Sequence, residues 1–594
     1  MRHSCLALTL ALLGAAPWLG AADDAAADLR SARSLFEKNI DAIRRRDREA
    51  YLACYRRSDH LARGGPTGFV TGFEEFVKAA GERWPDVIDA SDLHLVPVQA
   101  GVVYGTYRYR VRYGKEEHTG ISERLFTKTP EGWKVAVTGA IDAPPGTPPP
   151  PRALVGATLI DGRGGPPVPS ATVVLRGGKI DCAGTAAQCP LPESIGVTDL
   201  KGLWLTPGLI DAHVHFSQTG WADGRPDSLD LRAAHPYEMV EADLRKHPDR
   251  FGRSYLCSGV TAVFDVGGYP WTLQLPDGYS QDTLMPHVVA AGPLLSTLDH
   301  WLTLPGERQF LPLTTELAAR EGVRYLKAQG AHAVKVWYIV RPPTLTVEAS
   351  EKAVMAAGDE ARHLGLPLIV HATGLAEAKV ALRAGAKLLV HSVWDVPVDQ
   401  EFLDLARQNG TILNPTLTVG RGYVRMFRAL IDRKAPTVDD PNHCVDEATL
   451  AKVASTAVLE AALANAATAE AREQRVAQNE TVAASNLAKL VAAGIPIATG
   501  TDAGNPLTLH GPAIYAEMEA MQSAGMTPMQ VIAASTAVAS RAMGLEAEIG
   551  TIEKGKAADL IAVGGDPSQD VRNFRKLRYV VRGGELRTPE DLRP

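Results

Sequence analysis

Cysteine is scarce in this chain, with 6 residues in 594. That is too few for a disulfide scaffold of this length, and no Cys-x-x-Cys spacing argues for a structural zinc site. Basic runs are absent, and the formal net charge of −6 gives no electrostatic case for nucleic acid or an anionic membrane surface. No Gly-x-Gly-x-x-Gly follows a strand, which weighs against a dinucleotide fold. No solenoid repeat is visible, and no apolar run beyond the first residues is long enough to span a bilayer.

The length suggests two to four domains, and 45% hydrophobic with 22% charged residues is ordinary for soluble globular protein. At the start, Arg2 precedes an apolar stretch from Cys5 to Leu19, and Gly20-Ala21-Ala22 offers a small-residue cleavage pattern. Residues 1–22 read as a secretory signal peptide rather than a membrane anchor, because the apolar stretch is short and acidic residues follow. The mature protein is therefore expected in the periplasm or outside the cell. Five cysteines would remain, so at least one thiol is free unless chains cross-link; Cys182 and Cys189 flank a short loop and can pair.

Residues 25–141 show helical periodicity through Leu35, Ile40, Ile43, Tyr51 and Cys54, then alternating strands at Val102–Val111, Ser122–Phe126 and Trp133–Val137. Helices followed by an antiparallel sheet indicate α+β. The order of elements and the segment Thr127–Val135 resemble the NTF2-like (SnoaL-like) family, whose cones bind small ligands, catalyse or mediate dimerisation. An accessory role, with a homo-oligomer formed through this region, is expected. A proline-rich linker follows at 142–152, where consecutive prolines favour polyproline II. Short strands at 153–207 and again at 546–590 suggest one small β-sandwich built from both flanks.

Between them, 208–545 alternates short apolar strands with helices. The strand candidates are Gly208–His215, Thr261–Val266, His287–Ala291, Ala333–Val340, Pro367–His371, Lys387–His391, Thr411–Pro415 and Pro496–Thr501. Helices are expected at Val347–Leu364, with Glu351 and Glu360 on the polar side, and at Leu375–Ala384. Apolar strands joined by helices imply a parallel sheet covered on both faces, and eight such units imply an α/β fold of the (β/α)8 TIM barrel type.

Function collects at strand C-terminal ends in such barrels. His213 and His215 lie two apart on the first strand, so both imidazoles point to one side. Lys335 lies on the fourth strand, His371 and His391 end the fifth and sixth, and Asp502 follows the eighth. Singly, each has an ordinary explanation: a satisfied polar group at a core edge, a snorkelling lysine, a helix-capping aspartate. Together they would crowd unpaired polar groups at one barrel mouth, which a metal centre satisfies at once.

This set, with Leu205–His215 and Gly550–Leu560 flanking it, resembles the amidohydrolase superfamily over about residues 153–590. The segments His371–Gly374 and Gly500–Gly504 are similar to its imidazolonepropionase-related and prolidase-like branch. The resemblance implies that Lys335 is carbamylated by carbon dioxide (N6-carboxylysine) and bridges two divalent ions. His213, His215 and Asp502 would bind one ion, and His371 and His391 the other. Zinc suits the donors, with manganese or cobalt able to substitute. The implied reaction is hydrolysis of an amide, peptide (Xaa-Pro-like or N-acyl amino acid) or cyclic amide C–N bond by a metal-bridged hydroxide, Asp502 acting as base and then acid. A binuclear lactonase or phosphotriesterase, a mononuclear deaminase that would not need Lys335, and a non-catalytic ligand-binding protein are the competing readings.

Substrate contacts are less defined. Trp337, Tyr338 and His510 are candidates, against aromatic wall packing for the first two and helix capping near Pro512 for the third. The Ala-rich stretch Leu450–Ala493 reads either as a lid or as closely packed helix.

Overall fold

In a computed structural model, residues 22–594 are described, except 66–67, 81–82, 115, 145–148, 150, 193–194, 281, 299–302, 305 and 460–465. The expected leader lies outside them, apart from Ala22, as does much of the proline-rich linker. The chain divides into two compact units, Met1–Pro150 with Ser194–Gly196, and Pro151–Glu193 with Val197–Pro594. Among the described residues, no helix is long and apolar enough to cross a membrane.

The first unit opens with the helix Ala22–Arg44, and Asp47 caps the next, Arg48–Ala53, by accepting from Ala50 N at 3.0 Å. Four long strands, Val87–Gln99, Val102–Tyr113, Glu116–Thr129 and Gly132–Asp142, form an antiparallel sheet extended by Ala62–Gly65 and Gly68–Thr71. Alternation places Val103, Gly105, Tyr107 and Tyr109 inward along the second of these. They pack with Phe36, Ile40, Phe126 and Val135.

In the second unit, strands from the two flanks share hydrogen bonds. Trp204–Pro207 pairs antiparallel with Leu560–Val563 and parallel with Arg152–Leu159. The path from Glu585–Arg587 to Lys179–Gly184 is one continuous hydrogen-bonded sheet drawn from both flanks. Its buried side gathers Leu154, Val173, Leu205 and Leu560.

The parallel strands run Leu209–Val214, Val260–Asp265 and His287–Ala290, then Leu294–Ser296, Val334–Trp337, Leu368–His371, Leu388–Val390 and Ile412–Asn414. The expected third strand, His287–Ala291, is present as His287–Ala290, and the chain breaks before the next parallel segment, Leu294–Ser296. Gly292 at φ +69° and Pro293, which has no N–H to donate, interrupt the ladder. His332 N donates to Ala290 O at 3.0 Å across the break. The segment Pro496–Thr501 is not a regular strand, yet it bonds on both sides. Ala498 N donates to Leu413 O at 2.8 Å, and Ala212 N to Thr499 O at 2.9 Å.

The helix Val347–His363 begins where Thr346 accepts from Ala349 N at 3.2 Å, and Leu364 is its C-cap. Ser350, Val354, Ala357 and Ala361 recur at helical spacing on its buried side. Glu360, expected on the polar side, meets two arginines there. It is buried and paired at 3.2 Å with Arg320 and 2.7 Å with Arg324 of the helix Glu316–Ala328.

Cys182 pairs with Cys189, Cys257 pairs with Cys444, and Cys54 is a buried free thiol. The second disulfide joins residues 187 apart, so it removes much loop entropy from the unfolded chain. Replacing both Cys257 and Cys444 by alanine is expected to cost about 2–5 kcal/mol. A denaturant midpoint under oxidising conditions equal to that of the parent protein would contradict this.

Candidate metal centre

The first strand is buried along its whole length, which fixes its side chains against the sheet interior. His213 is completely inaccessible and His215 is buried beside it. Asp211, two residues before His213, ties this strand to the segment that carries Asp502. Its carboxylate accepts from Thr501 N at 2.9 Å, Thr501 Oγ1 at 2.6 Å and His213 N at 3.3 Å. Burial pushes this carboxyl up to about 7. Asp502 N donates to His213 O at 2.8 Å. Asp502 Oδ1 consequently stands 3.3 Å from His213 Nε2 and 3.0 Å from His215 Nε2.

The Nδ1 atoms of His215 and His391 are occupied from behind. His215 Nδ1 lies 2.6 Å from Gly267 O, an oxygen that only accepts, so Nδ1 carries the proton and Nε2 presents its lone pair to the cavity. Asp265 sets the Gly267 loop by accepting from Gly267 N at 3.1 Å and Phe216 N at 2.8 Å. His391 Nδ1 lies 2.6 Å from Thr416 Oγ1. The His391 ring is 4.3 Å from that of His371 and 5.0 Å from that of His213. His213, His391 and Asp502 each offer one donor atom within 4.8 Å of the others.

Lys335 projects from the Val334–Trp337 strand and is 2% exposed. Burial lowers its amine to about 7, with Asp502 and Asp265 acting in the opposite sense. Burial also holds the imidazoles of His213, His371 and His391 well below their ordinary value, and the charge of Lys335 adds to the effect. They are therefore neutral donors at physiological pH.

All six side chains line one cavity of about 270 Å3. Both nitrogens of His213 are buried with no hydrogen-bond partner. An imidazole left so is costly unless something accepts its lone pair, and a nitrogen and oxygen donor set suits a divalent ion of the zinc type. The residues present fit such an ion.

Of the expected substrate contacts, Trp337 lines this cavity, edge-on to His371 with ring centroids 6.1 Å apart. Tyr338 and His510 do not. Strand alternation turns Tyr338 outward, where its hydroxyl donates to Val347 O at 3.2 Å. His510 stacks on Phe251 at 3.7 Å and bonds His215 O at 3.1 Å, so it supports a ligand's backbone. Phe310, Trp394 and Tyr423 complete an aromatic wall that the strand pattern does not single out. The Leu450–Ala493 stretch takes in most of the helix Glu447–Ser455 and all of Ala466–Ala492, and the second contributes Val476, Asn479, Glu480 and Ala483 to the cavity.

A cavity walled by aromatic side chains and floored by four imidazoles, a lysine and a carboxylate defines a candidate metal centre in an α/β enzyme. Residues 204–587 match the amidohydrolase family, and the chain belongs to that family of hydrolases acting on carbon–nitrogen bonds. It is 29% identical over 424 residues to an imidazolonepropionase of Caulobacter vibrioides, covering 68% of this chain and 90% of that one. It is 24% identical over 413 residues to the ochratoxinase of Aspergillus niger, covering 64% of this chain and 75% of that one. The fold resembles the crystal structure of a Xaa-Pro dipeptidase with bound methionine, with TM-score 0.56, 23% identity, and coverage of 74% of this chain and 100% of that one.

Proposed function

We propose that the protein is a metal-dependent hydrolase of amide, peptide or cyclic amide C–N bonds in small molecules, acting in the periplasm or outside the cell. The observation that carries this reading is the convergence of His213, His215, Lys335, His371, His391 and Asp502 on one cavity, with neither ring nitrogen of His213 hydrogen-bonded. The strands bonded each to the next, and the segment at Pro496 bonded to both the last and the first, are read as a (β/α)8 barrel with these residues at its mouth. The N-terminal region is read as an NTF2-like accessory domain through which chains associate. Two disulfides support an oxidising compartment.

His213, His215 and Asp502 would hold one divalent ion, and His371 and His391 a second, with carbamylated Lys335 shared between them. Bound ions of the zinc type supply a Lewis acid for the scissile carbonyl and ease the ionisation of water near neutral pH. Asp502 takes the proton of the attacking water and passes it to the leaving nitrogen, which converts a poor leaving group into an amine. Phe310, Trp337 and Trp394 exclude bulk water and present an apolar wall, so the substrate's acyl or side-chain portion is apolar. Arg225, Asn505 and Tyr423 offer polar contacts on the same cavity. Tyr423 donates to Asn505 Oδ1 at 2.6 Å.

A panel of N-acyl amino acids, Xaa-Pro dipeptides and cyclic amides, run beside lactone and phosphotriester probes before and after chelation, tests the assignment. Turnover of an amide that chelation abolishes is the expected result. Turnover confined to phosphotriesters or lactones would overturn it.

A further inference from the structure

Among the described residues, the interior of the first unit holds a cation with no carboxylate beside it. Arg124 sits on the Glu116–Thr129 strand, on the inward face it shares with Ser122 and Phe126, and is 6% exposed. Its guanidinium donates to Thr138 Oγ1, to the Tyr107 hydroxyl at 2.9 Å and to Asn39 Oδ1 at 3.4 Å, all neutral acceptors. Among the described residues no carboxylate lies within 4.0 Å of it. Burial is the largest influence on its charge, and it opposes that charge.

Hydrogen-bond donors are in excess around it. Arg124 Nε and Asn39 Nδ2 are both buried with no partner. Tyr55 donates to the Tyr51 hydroxyl at 3.1 Å, and Tyr107 accepts from Arg124, so the protons of Tyr51 and Tyr107 point elsewhere. Arg63 adds a second positive charge on the Tyr51 side. Phe36, Ile40, Phe126 and Val135 form the apolar surroundings. A buried unpaired ion is unfavourable. A guanidinium with neighbouring N–H and O–H donors matches a planar two-oxygen anion.

We propose that the first unit binds a small monocarboxylate, its oxygens against Arg124, Asn39 Nδ2 and the hydroxyls of Tyr107 and Tyr51, its apolar tail among the aromatic rings. A carboxylate's one negative charge neutralises Arg124, and its planar pair of oxygens matches the guanidinium fork.

The test is titration of the full-length, chelated protein with acetate, butyrate and benzoate in carboxylate-free buffer, followed by calorimetry and thermal shift. One saturable site per chain is expected, with affinity at least tenfold weaker in Arg124→Met and hydrolysis by the metal-loaded variant unchanged. Should that variant not fold, Tyr107→Phe, which removes one hydroxyl, is expected to weaken binding severalfold. No saturable binding to the parent protein would overturn the proposal, as would equal affinity in the variant that folds. Binding of phosphate or chloride in preference to every carboxylate would overturn the ligand class, and a signal that requires restored metal would place the carboxylate at the other site.

Discussion

Asp502→Asn is expected to lower kcat by about 10³-fold while leaving the fold intact. Asparagine keeps an oxygen acceptor where Asp502 Oδ1 stands 3.0 Å from His215 Nε2, but it carries neither the charge nor a transferable proton. The backbone makes asparagine the informative choice. Asp502 lies at φ +62°, the left-handed region, which asparagine tolerates and alanine adopts with strain. A loss in Asp502→Ala would mix backbone strain with lost chemistry, and Asp502→Asn separates them. The check is kcat and KM on the amide found in the substrate panel, together with metal content and thermal midpoint. A midpoint close to the parent's with the large kcat deficit supports proton transfer at this position. A kcat within a few-fold of the parent's would remove Asp502 from that role.

The residues brought together around the cavity are legible in the sequence because each ends or sits on a short apolar run, and strand periodicity fixes the side it faces. The same rule orders Trp337 and Tyr338, since residue 337 shares the side of Lys335 and residue 338 does not; the structure places them so. Helix boundaries are legible where a capping side chain announces them, as Thr346 does for Val347–His363. What sequence leaves hidden is set by contacts between distant segments. Thr416 behind His391 and the Gly267 carbonyl behind His215 lie in loops after other strands, and neither residue type signals a supporting role by itself. The Cys257–Cys444 pair is invisible for the same reason, whereas Cys182–Cys189 spans a turn short enough to suggest. Glu360 reads only as a residue of its helix's polar side, and the arginines it meets, Arg320 and Arg324 of the neighbouring helix, are not legible. His510 misleads because a histidine near the mouth of a site can serve the wall as well as the substrate. Its stacking on Phe251 decides for the wall.

Lys335→Met is expected to reduce kcat/KM by at least about 10³-fold, a barrier increase of about 4 kcal/mol, with no recovery on adding bicarbonate. An ordinary lysine amine near 10.5 is almost wholly protonated at pH 7 and unreactive toward carbon dioxide. Burial brings Lys335 to about 7, so roughly half the amine is unprotonated there. Its nitrogen can then bond the carbon of carbon dioxide and release a proton, leaving an anionic carbamate in place of a cation. The sign of the pH effect follows. In protein stripped of metal, acidification below about 7 protonates the amine and slows this capture, and raising the pH through 7 accelerates it at fixed dissolved carbon dioxide. Because the folded-state value lies below the unfolded one, the unfolded chain binds more protons between about 7 and 10.5. The contribution of this group to the stability of metal-free protein therefore improves as pH rises across that window. Reloading stripped protein with zinc in buffer depleted of carbon dioxide is expected to restore little activity until bicarbonate is added. Labelled bicarbonate should give a carbamate carbon resonance that is absent from Lys335→Met. Full activity without carbon dioxide, or an unchanged resonance in the variant, would show that Lys335 acts as a plain amine and that the centre is held by the four histidines and Asp502 alone.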